Sequence, residues 1–120
     1  MRCFLIGFAG FFVAGFLVLL AMAGYADYAA RASLSETMAA AAAVRTTVAE
    51  ELRDNRKLKP RPAQPAIAGA DYSRVSDDGT IVFRSARHGQ IIVYEPSVQA
   101  GGVTWKCIGS PPKDVPADCR

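Results

Sequence analysis

Residues 3–26 read CFLIGFAGFFVAGFLVLLAMAGYA, twenty-four consecutive side chains without a charge. At about 1.5 Å rise per residue such a run spans about 36 Å as a helix, enough to cross a hydrocarbon core of about 30 Å. Its interior has no Pro. Tyr25 and Tyr28 follow at once, where amphipathic rings sit at the headgroup level. The stretch therefore reads as a single membrane-spanning helix over residues 1–26. A cleaved secretory signal is the competing reading. Met1-Arg2 makes a minimal positive start, and Ala21-Met22-Ala23 has the small-x-small pattern of a cleavage site. The run exceeds the usual signal core of about 7–15 residues, which favours a retained anchor. Either way the remaining chain is exported. Only Arg2 and the amino terminus mark the inner side.

Phe4, Phe8, Phe12 and Phe16 recur every four residues and form an aromatic ridge. Gly7, Gly10, Gly15 and Gly24 offer places for close approach of another helix, although no pair has GxxxG spacing. Outside this stretch the composition changes. Of 14 basic and 11 acidic side chains, all but Arg2 lie from Asp27 onward. A chain of 120 residues allows one small domain. That excludes a multidomain enzyme with a deep cofactor fold.

Helical character continues past the membrane. Residues 27–58 contain neither Pro nor Gly and include the run Ala39 to Ala43. Leu34, Met38, Ala41, Val44, Val48 and Leu52 fall three or four apart, one apolar stripe on an exported amphipathic helix. Asp27 with Arg31, and Glu50 with Arg53, have the spacing of surface ion pairs. Pro60 and Pro62 end the helix. Residues 59–70, KPRPAQPAIAGA, form an extended Pro-rich linker. Arg53, Arg56, Lys57, Lys59 and Arg61 concentrate positive charge there, a candidate contact for DNA or anionic lipid. No aromatic residue interleaves for base stacking, so a solvated helix end is the plainer reading.

Residues 71–120 carry strand signals. Thr80 to Ser85 and Gln90 to Tyr94 are rich in β-branched and aromatic residues. Asp77-Asp78-Gly79 is a turn after a short strand at Tyr72–Ser76, and Pro96 is expected to end the Gln90–Tyr94 strand. After Gly101-Gly102, Val103, Trp105 and Cys107 alternate onto one face. The expected fold class is α+β. A long helix packs through Leu34, Met38, Val48 and Leu52 on an antiparallel sheet of three to four strands, with Trp105 on its inner face.

Cys3 lies in the apolar segment and reads as a small buried hydrophobe. Cys107 and Cys119 lie in a small exported region whose core is marginal, the setting for a disulfide. A zinc or redox pair is the alternative. His88 is the only histidine and the spacing is not CxxC, so ligands are too few. His88 sits in a Gly-containing turn and reads as a surface residue. No phosphate loop or framed nucleophile occurs, so no catalytic site, cofactor or metal is expected.

Several segments, in order, resemble bacterial type IV pilins. They are Tyr25 to Glu36, Val44 to Glu50, Gly79-Thr-Ile-Val, Gly89 to Pro96, Gly102-Val-Thr-Trp105-Lys-Cys107, Val115-Pro116 and Cys119-Arg120. The resemblance implies a long curved helix carrying a four-stranded sheet, with a disulfide holding the C-terminal loop. It implies a filament whose core is the apolar helix half, assembled with other pilins and serving adhesion, twitching motility or DNA uptake. It places the subunit first in the bacterial inner membrane as a single-pass protein, and then in a surface pilus. The family begins with a basic leader and carries a Glu early in the mature helix. Registered on Tyr25, that Glu falls at Ile6 and the family's kinking Pro at Ala23. These departures imply either that the true start lies upstream or that this is a pilin-like protein held in the inner membrane. A non-polymerising periplasmic or anchored binding module is the alternative function.

Overall fold

The structure is a computed structural model of the chain. It describes residues 2–55, 57–61 and 63–120, with side chains from Ile6 onward except that of Asn55. The side chains of Arg2, Cys3, Phe4 and Arg56, and Pro62, lie outside the described residues. One helix, α1 (Arg2–Asn55), runs 54 residues. At about 1.5 Å per residue it accounts for the 80 Å long axis of the molecule. Four hydroxyls in its outer half, those of Ser33, Ser35, Thr46 and Thr47, are satisfied within the helix. Thr46 and Thr47 donate to the carbonyls of Ala42 and Ala43 at 3.0 and 3.1 Å, and Ser35 donates to that of Ala32 at 2.7 Å.

Four strands follow: β1 (Ala70–Val75), β2 (Ile81–Ser85), β3 (Ile91–Gln99) and β4 (Gly102–Ser110). They pair antiparallel in chain order, a plain meander. Two short 3-10 turns, Pro112–Asp114 and Ala117–Cys119, close the chain. The β1–β2 turn is built as its residues require. Asp78 Oδ1 accepts from the Thr80 amide at 3.0 Å, and Gly79 takes φ +92°.

The expected end of a strand at Pro96 is corrected. β3 runs on to Gln99, with Pro96 opposite Trp105. The reason is position in the sheet. β2 pairs with β3 only as far as Tyr94, so from Glu95 onward β3 has a neighbour on one side alone. An edge is where the missing proline donor is tolerated.

The core is one layer of contacts between α1 and the sheet. Ala30, Leu34, Thr37, Ala41, Val48 and Leu52 are buried on the helix side. Val75, Ile81, Phe83, Ile92 and Tyr94 meet them from the sheet, and Val115 and Cys119 complete the cluster. Met38 and Val44, on the expected stripe, are half-buried against it. Thr37 is buried where the stripe leads one to expect Met38, because Gly69 passes over it. A Cβ on Gly69 would fall 2.5 Å from Thr37 Oγ1. The Cys107–Cys119 disulfide staples the C-terminal segment to β4.

Candidate assembly surface

The candidate surface is the half of α1 that the other described residues leave uncovered. Every described side chain from Ile6 to Ala26 is exposed. The most apolar 18-residue window of the helix has mean hydropathy 2.4 and no buried share. Phe8, Phe11, Phe12 and Phe16 stand 56–77% exposed. Phe12 meets Phe8 edge-on, with ring centroids 4.7 Å apart. Nothing approaches within 4 Å of where a Cβ would stand on Gly7, Gly10, Gly15 or Gly24, so all four are open notches. Among the described residues from Ile6 to Met22, eleven large apolar side chains are exposed. At about 1.5–3 kcal/mol each, their burial is worth roughly 15–30 kcal/mol. That exceeds the stability of an ordinary domain, so the surface favours an apolar surrounding over water.

The head is fixed to the same rigid helix by three polar devices beside the apolar core. The first is Gln90, fully buried at the start of β3. Its Nε2 donates to the carbonyl of Ala30 at 3.0 Å and to that of Asp114 at 3.1 Å. One amide thus ties helix, sheet and C-terminal turn together. Its Oε1 is buried with no hydrogen-bond donor. The second is Arg45, whose guanidinium lies 4.5 Å over the Tyr94 ring, with Trp105 edge-on to that ring at 6.4 Å. Burial pushes the Tyr94 hydroxyl above its ordinary range, and the Arg45 charge opposes that shift in part. The third is a half-buried pair, Arg61 Nη2 donating to Glu51 Oε1 at 2.8 Å, which folds the Pro-rich segment back on the helix. On the sheet surface Arg84 and Asp71 form a two-pronged pair at 2.8 and 3.1 Å. The hydrogen bond from Arg84 holds the Asp71 carboxyl below its usual range.

Several expected residues are placed differently. Arg31 donates to the Lys113 carbonyl at 3.3 Å rather than pairing with Asp27. Arg53 lies 3.5 Å from Asp54 rather than bridging to Glu50. Both changes come from competition: an exposed carbonyl of the C-terminal turn for Arg31, an adjacent carboxylate for Arg53. The basic stretch is partly neutralised. Arg61 is paired with Glu51 and Arg53 with Asp54, while Lys57 and Lys59 are exposed. Leu34, Val48 and Leu52 are buried, and Trp105 is half-buried on the inner face. Cys107 and Cys119 are bonded. His88 is exposed, and no group of three or more metal-ligating side chains occurs among the described residues. Gln90 and Arg45 carry the head's attachment, yet nothing in their sequence surroundings marks them.

A family model for pilins, subunits of bacterial filaments, matches residues 30–120. The chain belongs to the pilin family. The match spans the helix from Ala30 onward, the four strands and the disulfide. No solved structure matches this pilin. Its family is one of structural filament subunits rather than of enzymes. Membership implies assembly with other pilins into filaments.

Proposed function

We propose that this pilin is a structural subunit that waits in the bacterial inner membrane and packs with other pilins into a type IV pilus. Residues 1–26 serve as the anchor and later as filament core. Residues 27–58 carry the head, residues 59–70 link to it, and residues 71–120 form the fibre surface. The observation that carries this reading is an apolar half-helix, bare on every side, rigidly continuous with the helix that holds the head. Phe8, Phe12 and Phe16 supply its aromatic ridge, which the sequence spacing extends to Phe4, and Gly15 supplies a notch. Adhesion, twitching motility or DNA uptake are the tasks such a fibre performs. The basic stretch adds little support for direct DNA capture, since two of its members are already paired with carboxylates.

Shearing the cells and pelleting surface fibres tests this directly. The protein is expected in the fibre pellet, and Phe12→Asp is expected to remove it while leaving the folded head intact. Confinement of the wild-type protein to the inner-membrane fraction would support the non-polymerising anchored module instead. A mature chain starting at Gly24 would show cleavage after Ala23 and loss of the filament segment.

A further inference from the structure

Two turns sit at opposite ends of β2. Asp77-Asp78-Gly79 leads into the strand and Arg87-His88-Gly89 follows it. Its five residues, at about 3.3 Å each, hold the turns about 17 Å apart, so they never meet within one chain. The helix repeats the contrast with the signs exchanged. Glu36 stands beside the Arg87 turn, and Lys57, just past the end of α1, stands beside the Asp77 turn. Each end of the head therefore has one acidic and one basic side, in opposite order.

The end nearer the membrane is hollow. A cavity of about 370 Å³ is bounded by Ser33, Glu36 and Thr37 of α1, by Gly69, and by Ser85 and Arg87. Thr37 and Ser85 are only 4% and 2% exposed. Among the described residues neither hydroxyl has a hydrogen-bond partner, and neither oxygen is sealed from solvent. The little surface they keep opens into this cavity. Glu36 and Arg87 are exposed on its two sides, and no salt bridge joins either to a described residue. Two hydroxyl donors beside a free guanidinium suit a carboxylate, and the free Glu36 suits a cation next to it.

The far end of the head supplies both groups. Lys57 and Asp77 are exposed on one cleft and form no salt bridge among the described residues. Asp78 is committed to its own turn by the bond from the Thr80 amide. Neighbouring charges leave the pattern in place. Arg53 is held by Asp54, and Arg31 turns to the Lys113 carbonyl. Lys57 and Lys59 balance Asp77 and Asp78 at one end, as Arg87 balances Glu36 at the other. The order of the signs, rather than an excess of charge, selects the partner.

We infer, resting on the pilus reading above, that the Asp77-Asp78-Gly79 turn of a second copy seats in this cavity. Its Asp77 meets Arg87 and the Thr37 and Ser85 hydroxyls, and its Lys57 meets Glu36. The two copies run parallel, helix end on helix and turn on turn. Contact between like ends would point the two membrane segments in opposite directions, which a shared membrane forbids. Glu36 and Lys57 are 21 positions apart, so the second copy is displaced along the axis by about 32 Å at about 1.5 Å per residue. Subunits standing level in a membrane cannot make this contact. It belongs to the fibre alone, and because it joins unlike ends it repeats without closing.

Cells carrying the chain with both Asp77→Cys and Arg87→Cys test the contact. Mild oxidation of sheared fibres is expected to give a ladder of covalent multimers, and oxidation of the inner-membrane fraction is expected to give none. Either single variant should give no ladder, since the contact joins unlike ends. The two positions of one chain are too far apart for a disulfide. Asp77→Arg and Arg87→Asp should each lower fibre yield about tenfold with an unchanged unfolding midpoint, and the two combined should restore it to within about threefold. Undiminished fibre yield from both charge variants, or double-cysteine fibres that stay monomeric on oxidation, overturns the contact and leaves the pilus reading standing. Dimers without higher species would show a closed pair and also overturn it. Absence of fibres from wild-type cells overturns both.

Discussion

Replacing Gln90 by Glu changes one atom type at the most connected polar side chain of the head. The amide nitrogen that now donates to the Ala30 and Asp114 carbonyls becomes a carboxylate oxygen facing two acceptors. At neutral pH the variant loses both hydrogen bonds and buries an unpaired charge at a site with no solvent exposure. The expected loss is about 3–5 kcal/mol, the range for an uncompensated buried charge. When protonated, the new acid can donate one of the two bonds, and the deficit shrinks to about 1–2 kcal/mol. The difference of about 2–3 kcal/mol corresponds to about two pH units at ~1.4 kcal/mol per unit. The sign follows from linkage. Burial raises the folded-state pKa of the new carboxyl above its unfolded value. Its stability is therefore retained below the ordinary glutamate range and is lost over about two units above it. Gln90→Met is the control, with a loss of about 2 kcal/mol that does not vary between pH 4 and pH 7. Urea unfolding of the full chain in micelles, followed by Trp105 emission, measures all three proteins. A Gln90→Glu loss below about 1 kcal/mol at pH 7, or one independent of pH, would refute the buried clasp.

Four further outcomes follow from the same contacts. Cys107→Ser with Cys119→Ser opens a loop of sequence separation 12. It should lower head stability by about 3 kcal/mol in urea unfolding, with α1 helicity by circular dichroism little changed. Gly79→Ala places a Cβ 2.7 Å from Leu52 Cδ1 at φ +92° and should cost about 1–3 kcal/mol, read as a lower unfolding midpoint. Phe83→Ala empties the centre of the core and should cost about 3–5 kcal/mol by the same assay. For Tyr94, whose folded pKa is raised, the native state should hold full stability below about pH 10 and lose it as pH rises further. Tyr94→Phe should remove that alkaline loss, measured as thermal midpoint against pH.

The outline of the fold was legible because it rests on long patterns. An uncharged run at residues 3–26, an Ala-rich stretch without Pro or Gly, and β-branched strands between Gly turns each repeat one signal many times. What escaped depends on single long-range contacts. Pro96 ends a strand by local rules, and only the shortness of β2 explains why it does not. Asp27 and Arg31 have helix-pair spacing, but the sequence does not show that Lys113 brings a carbonyl within reach. Gln90 reads as the polar first residue of a strand. It is buried because β3 begins where α1 and the C-terminal turn converge, 60 residues back and 24 residues on. Arg45 carries no signal of its own in the sequence, and its partner is a ring on β3. The uncovered helix half was the most legible element, since an apolar surface of that size needs no tertiary contact to be recognised.

The central claim is that this bare half of α1 packs against the same segment of neighbouring subunits. A photoreactive phenylalanine analogue placed at Phe12 and activated in sheared surface fibres tests it most directly. The account predicts a ladder of covalent dimers and higher species, with the cross-linked peptides mapping to residues 6–26 of a second pilin subunit. A protein that stays in the inner membrane and cross-links at Phe12 only to lipid would contradict it.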